Sequence, residues 1–139
     1  MDWENKVIKF YSTWSLSSRK TKKWLNFYNL NFEEIKIADK SLSHDQLIEI
    51  LALTDNGFPD IISKRCAIYK QKNLDQNNYK FQEILDLLQD TPNLLKTPII
   101  LDNKKLQIGF NEEELRQFLP KEFRMEKNRK MVQIKNDYI

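Results

Sequence analysis

The order of apolar patterns constrains this chain more than any single motif, because strand-like runs at both ends enclose a helical middle. Lys6 to Tyr11 reads Lys-Val-Ile-Lys-Phe-Tyr, a short run rich in β-formers. A hydroxyl-rich loop, Ser12 to Ser18, follows and offers serine oxygens to cap a helix N-terminus. That helix is predicted to run to about Tyr28, with Trp24, Leu25 and Tyr28 on one face. Asn31 to Ile37 then alternates Phe32, Ile35 and Ile37 with charged residues, a second strand. Strand, helix and strand in this order predict a parallel pair. Near the other end, Thr97 to Asp102 and Lys105 to Gly109 are strands joined through Asn103-Lys104, which makes an antiparallel hairpin. Asn111 caps a last helix with Glu112, Glu113 and Glu114 in its first turn, the sign that the helix dipole favours. Leu115, Phe118 and Leu119 form its apolar face, and Pro120 stops it.

The middle reads as helices. Ser43 with Gln46 three residues on is a capping-box pattern, opening a helix through Leu47, Ile48, Ile50 and Leu51 to about Thr54. Asp55-Asn56-Gly57 is a turn, since Gly permits positive φ. Short helical pieces then hold Ile61 and Ile62 and span Ala67 to Lys72, and a longer helix spans Lys80 to Gln89. The order β-α-β, helices, β-β-α predicts an α/β fold with a thioredoxin-like core interrupted by a helical insertion at about 40–95. One domain is expected over 1–120, followed by a basic C-terminal tail over 121–139. A proline opening the third strand of such a core sits beside the loop after the first strand and is often cis. Pro98 occupies that place, and both isomers are open to it, since cis costs only ~0.5–1 kcal/mol at X-Pro.

Composition narrows the chemistry. The chain has 139 residues, one cysteine (Cys66) and one histidine (His44), which excludes an internal disulfide and a Cys- or His-built metal site. Two glycines leave no phosphate-cradling loop, so neither a cofactor nor a metal is expected. No apolar run approaches the ~18 residues of a membrane span, and the start lacks the apolar region of a secretory signal, so a soluble cytoplasmic protein is expected. A thioredoxin-like redox centre needs a low-pKa thiolate in Cys-x-x-Cys at the first helix, whereas Ser15-Leu16-Ser17-Ser18 stands there. Cys66, after Arg65, reads either as a reactive thiol or as a small buried hydrophobe. The net charge of +3 is unevenly placed. Residues 1–119 carry 17 Lys and Arg against 17 Asp and Glu, so the whole excess lies in the last 20 residues. Within the balanced part, Arg19, Lys20, Lys22 and Lys23 crowd the first turns of a helix, where the dipole disfavours cations. They form a candidate contact for DNA or another polyanion.

Three stretches resemble one family. Ser15-Leu-Ser-Ser-Arg-Lys20 looks like Cys-x-x-Cys-Arg-Lys with both cysteines replaced. The second stretch runs from Leu53-Thr-Asp-Asn-Gly57 through Ile61-Ile-Ser-Lys-Arg65, and the third from Leu94-Leu-Lys-Thr-Pro-Ile-Ile-Leu-Asp102 into Leu106 to Pro120. Together they resemble the Spx family, regulators related in fold to arsenate-reductase-like proteins. The resemblance implies a transcriptional regulator, not an enzyme. It would bind the C-terminal domain of the RNA polymerase α subunit, alter promoter choice and engage promoter DNA only in the polymerase complex. The family's α-contact glycine falls on Gly57, with Asn56 beside it, and the arginine of the insertion falls on Arg65. The family's switch positions fall on Ser15, Ser18 and Thr97, where the two cysteines and the arginine before the proline are missing together. This implies a regulator without the disulfide switch, expected as a monomer. Two other readings of the same fold are a non-activating competitor for the same partner and an arsenate-reductase-like oxidoreductase.

Overall fold

A computed structural model describes residues 7–37, 41–74 and 78–120. The expected basic tail over 121–139 lies outside the described residues, as does Lys6. Four strands make one mixed sheet in the order β2-β1-β3-β4. They are β1 (Ile8–Ser12), β2 (Phe32–Lys36), β3 (Ile99–Leu101) and β4 (Leu106–Ile108). β1 pairs parallel with β2, Ile8 opposite Phe32 and Ser12 opposite Lys36. β1 pairs antiparallel with β3, Tyr11 opposite Ile99, and β3 with β4. Asp102 braces the hairpin turn, its Oδ1 accepting the backbone N–H groups of Lys104 and Lys105 at 2.8 Å each.

Strand alternation sorts the side chains into two cores, one on each face of the sheet. Ile8, Phe10 and Ile100 face α1 (Leu16–Phe27) and α6 (Glu112–Leu115), packing with Trp24, Leu25, Leu115 and Phe118. Tyr11, Ile99, Leu101 and Ile37 face the other way. There they meet Leu47 and Ile50 of α2 (His44–Leu51), Ile61 of α3 (Phe58–Ile61) and Leu85 and Leu88 of α5 (Phe81–Asp90). A short helix, α4 (Ala67–Gln71), lies between α3 and α5 in sequence. Lys9 on the same face reaches Glu49 of α2 at 2.9 Å, and His44 at the start of α2 meets Asp86 of α5, Nε2 to Oδ1 at 2.9 Å.

Local chemistry sets the element ends. Ser15 caps α1, and Ser43 with Gln46 makes the expected capping box on α2. α1 stops because Asn29 turns left-handed (φ 54). The N–H of Leu30 then donates to the Leu25 carbonyl at 3.1 Å and that of Asn29 to the Asn26 carbonyl at 3.1 Å, which satisfies carbonyls at the helix end. Two expectations shift. The second helix ends at Leu51, not near Thr54, because Thr54 enters a turn described below. Ile62 lies outside α3 and forms an isolated antiparallel bridge with Leu95. That bridge ties the helical middle back to the segment leading into β3.

Candidate functional site

Three features gather at the ends of the strands and along the segment 54–65. The first is the loop after β1. Ser15 Oγ accepts the N–H of Ser18 at 3.2 Å, and Ser18 Oγ accepts the N–H of Thr13 at 2.9 Å. The hydroxyls also bond to one another: Thr13 Oγ1 donates to Ser15 Oγ at 3.0 Å, and Ser15 Oγ to Ser18 Oγ at 3.2 Å. Ser18 is buried and Ser15 exposed, so the inner hydroxyl is part of the fold while the outer one faces solvent. The trio closes the loop with hydrogen bonds. A serine nucleophile needs an adjacent base to activate it, and the bonds described for these hydroxyls run to one another and to backbone.

The Thr97-Pro98 peptide bond is cis. The register Tyr11 to Ile99 carries on toward Ser12 and Pro98, which sets the proline against the start of this loop. The Pro98 carbonyl accepts the N–H of Gly109 at 2.8 Å.

The second feature is a knuckle of backbone at 54–60. Thr54 Oγ1 donates to the Leu51 carbonyl at 2.7 Å and accepts the N–H of Gly57 at 3.0 Å. Asp60 reaches back over the turn. Its Oδ2 accepts the N–H of Asn56 at 2.9 Å and of Asp55 at 3.1 Å, and its Oδ1 accepts Asn56 Nδ2 at 3.2 Å. The Asn56 backbone and side-chain donors, with the Asp55 N–H and the Lys96 charge, hold the Asp60 carboxyl below its usual range against the opposing effect of desolvation. Gly57 sits at φ 79, ψ −138, a conformation that favours glycine. A Cβ placed on it would meet nothing within 4 Å, so the space above Gly57 is open to an approaching surface.

The third feature is a shallow groove of about 520 Å³ that Arg65 and Thr97 line together, along with Lys64, Lys96 and Gly109. Pairing across the Ile62–Leu95 bridge builds it: Ser63 N–H donates to the Leu94 carbonyl at 2.7 Å and Lys96 N–H to the Ile61 carbonyl at 2.8 Å. Arg65 and Thr97, which lie far apart in sequence, thereby line one groove. Lys96 links this groove to the knuckle through its charge on Asp60. Cys66 occupies the position before α4, half-buried and packed against the core.

The basic turns of α1 are more integrated than their spacing suggests. Arg19, Lys20, Lys22 and Lys23 are all exposed, and no acid stands in the first turn. Yet Lys22 Nζ pairs with Glu34 Oε1 at 3.0 Å, and Ser12 Oγ donates to Glu34 Oε2 at 2.7 Å. Desolvation pushes the Glu34 carboxyl up, but the Ser12 and Lys22 hydrogen bonds and the Lys22 and Lys36 charges outweigh it and hold it below its usual range. Lys20 Nζ lies 6.0 Å from the centre of the Phe110 ring.

Sequence reasoning missed Thr54, Asp60 and Glu34, none of which carries a catalytic signature. Asp60 falls three residues beyond the Asn-Gly pair, the one local hint that a carboxylate could brace this turn. Among the described residues no group of His, Cys, Asp and Glu could hold a metal ion. Nor is any helix of the described residues long and apolar enough to cross a membrane.

Known proteins share both the sequence pattern and the fold. A profile of the ArsC family matches residues 10–118. The chain is 42% identical to the global transcriptional regulator Spx of Streptococcus mutans, covering 88% of this chain and 90% of that protein. It is 39% identical to the global transcriptional regulator Spx of Staphylococcus aureus, covering 91% and 98%. The structure of an arsenate reductase from Vibrio cholerae superposes with a TM-score of 0.73 at 21% identity, over 82% of this chain and 98% of that one.

Proposed function

The chain belongs to the ArsC family and to its Spx branch of transcriptional regulators, and on that premise we propose that it works by binding the C-terminal domain of the RNA polymerase α subunit. The observation that carries this reading is the knuckle. Gly57 presents bare backbone with open space above it, and Thr54 and Asp60 hold that backbone rigid before any partner arrives. A surface fixed in advance loses little entropy on binding, and a glycine lets a second backbone come close. Asn56 and Gly57 make the central contact, and Arg65 extends it toward the groove. Promoter DNA is engaged within the polymerase complex, with Arg19, Lys20, Lys22 and Lys23 as the phosphate-contacting set.

Its activity is set without a disulfide. Serine hydroxyls at 15 and 18 close the loop by hydrogen bonds in all redox conditions, and Thr97 replaces the arginine beside the proline. The same replacement argues for a regulator over a reductase, because Cys66 is the one thiol of the chain and lies in the helical middle. Capture on the immobilised α domain tests the reading. The parent protein is retained equally with reductant and with oxidant, and Gly57→Arg is lost. Absence of capture in both conditions overturns it. In vitro transcription separates an activator from a non-activating competitor, since a competitor represses activated promoters and stimulates none.

A further inference from the structure

We infer that Trp14, with the cations around it, forms a stacking site for an unpaired base of single-stranded nucleic acid. Trp14 is 67% exposed and Leu16 58% exposed, two large apolar side chains close together on the loop between β1 and α1 and the first position of the helix. Such exposure is costly for an indole, which buries a large apolar surface when it finds a partner. Lys36 Nζ stands 4.6 Å from the centre of the Trp14 ring.

The surroundings select the occupant. Lys36 ends β2 opposite Ser12, and its side chain shares the α1 face of the sheet with Phe32 and Glu34, because strand residues alternate. Lys22 joins that face through Glu34, and Arg19 lies one turn before Lys22 on the same stripe of α1. Glu33 falls on the opposite face by the same alternation, and Glu34 is already matched by Ser12 and Lys22. The result is an exposed indole with the Lys36 ammonium at its ring, while Arg19 and the Glu34-paired Lys22 lie on one stripe of the neighbouring α1. An anionic strand with free aromatic faces satisfies both halves of this surface, phosphates on the cations and a base on the ring. A duplex keeps its base faces inside the stack, and an acidic protein would use the cations while leaving the indole without a π partner.

This contact does not depend on the α-domain reading, so the free chain tests it. The protein is titrated into a fluorescein-labelled 20-mer of oligothymidylate at low salt, with fluorescence anisotropy as readout. A saturable rise in anisotropy is expected, with affinity falling steeply as salt rises. Trp14→Ala weakens binding about ten-fold or more, while Trp14→Phe, which keeps an aromatic face, stays within a few-fold. Both variants retain the parent's thermal unfolding, because the side chain is exposed, and both keep α-domain capture unchanged. Equal affinity of Trp14→Ala and the parent overturns the inference, since charge alone would then explain binding. So does competition by duplex DNA or by polyglutamate as effective as by single strand, or no binding at low salt.

Discussion

Substitution at Gly57 separates backbone strain from partner contact. The residue sits at φ 79, ψ −138, and a non-glycine residue there costs ~1–3 kcal/mol. A Cβ meets nothing within 4 Å, so no clash adds to that cost. The Thr54 and Asp60 hydrogen bonds use the backbone N–H groups of 55, 56 and 57, which any side chain leaves in place. Gly57→Ala and Gly57→Arg are therefore expected to lose the same stability, ~1–3 kcal/mol, which lowers the melting temperature by roughly 3–15 °C. Binding splits them. Alanine adds one methyl group to the open face and weakens the hold on the α domain by about ten-fold or less, whereas arginine fills the space and removes binding beyond detection. Thermal unfolding followed by circular dichroism gives the first quantity, and calorimetric titration at a temperature where all three proteins are folded gives the second. If the arginine variant is less stable than the alanine variant by more than ~2 kcal/mol, the open space above Gly57 is wrong. If the folded arginine variant binds like the parent, the knuckle is not the contact.

Other outcomes follow from individual groups. Ser18→Ala strands the Thr13 N–H that its hydroxyl now accepts, and costs ~1–3 kcal/mol in urea unfolding, with a neutral result counting against the hydroxyl trio. Tyr11 is fully buried, and its hydroxyl has no hydrogen-bond partner among the described residues. Burial, with Glu49 and Glu33 nearby, pushes its pKa up to about 12. Folding favours the protonated phenol, so its contribution is complete below pH ~10 and is lost as pH rises from there toward 12. Tyr11→Phe removes a desolvated hydroxyl and is expected to leave stability unchanged or raise it by ~1 kcal/mol at neutral pH. It should also flatten the alkaline loss, and a destabilised variant would show a missed hydrogen bond. Glu34 has the opposite sign: its depressed pKa stabilises the fold above the ordinary carboxylate range, and that share disappears as pH falls through the folded value. Glu34→Gln is expected to flatten the acid arm of the stability profile, and an unchanged arm would mean that the Ser12 and Lys22 bonds do not hold the carboxylate.

What the sequence made legible was local or periodic. Alternation placed β1, β2 and the hairpin within a residue or two, and the Ser43–Gln46 capping box and the Asn111 cap are read directly from residue type, whereas the structure picks Ser15 out of the serines that could cap α1. What it hid depends on contacts across the fold. Lys22 reads from sequence as one of four cations at the start of α1, and its pairing with Glu34 of β2 emerges only in the fold. The helix through Ile50 stopped early because Thr54 and Asp60 trade helical bonds for a braced turn. Ile62 left its helix because Leu95, distant in sequence, offers a backbone partner. Arg65 and Thr97 share a groove for the same reason. Cys66, open to two readings from sequence, is half-buried against the core without being sealed inside it.

If the hydroxyl-closed loop stands in for a disulfide, this Spx-branch chain engages polymerase independently of thiol state. The direct measurement is the dissociation constant of the parent protein for the purified C-terminal domain of the polymerase α subunit, taken once in excess dithiothreitol and once after diamide. Saturable binding with the same constant is expected in both, and the same again for Cys66→Ser. A constant that changes with oxidation, or an absence of binding in both conditions, would contradict it.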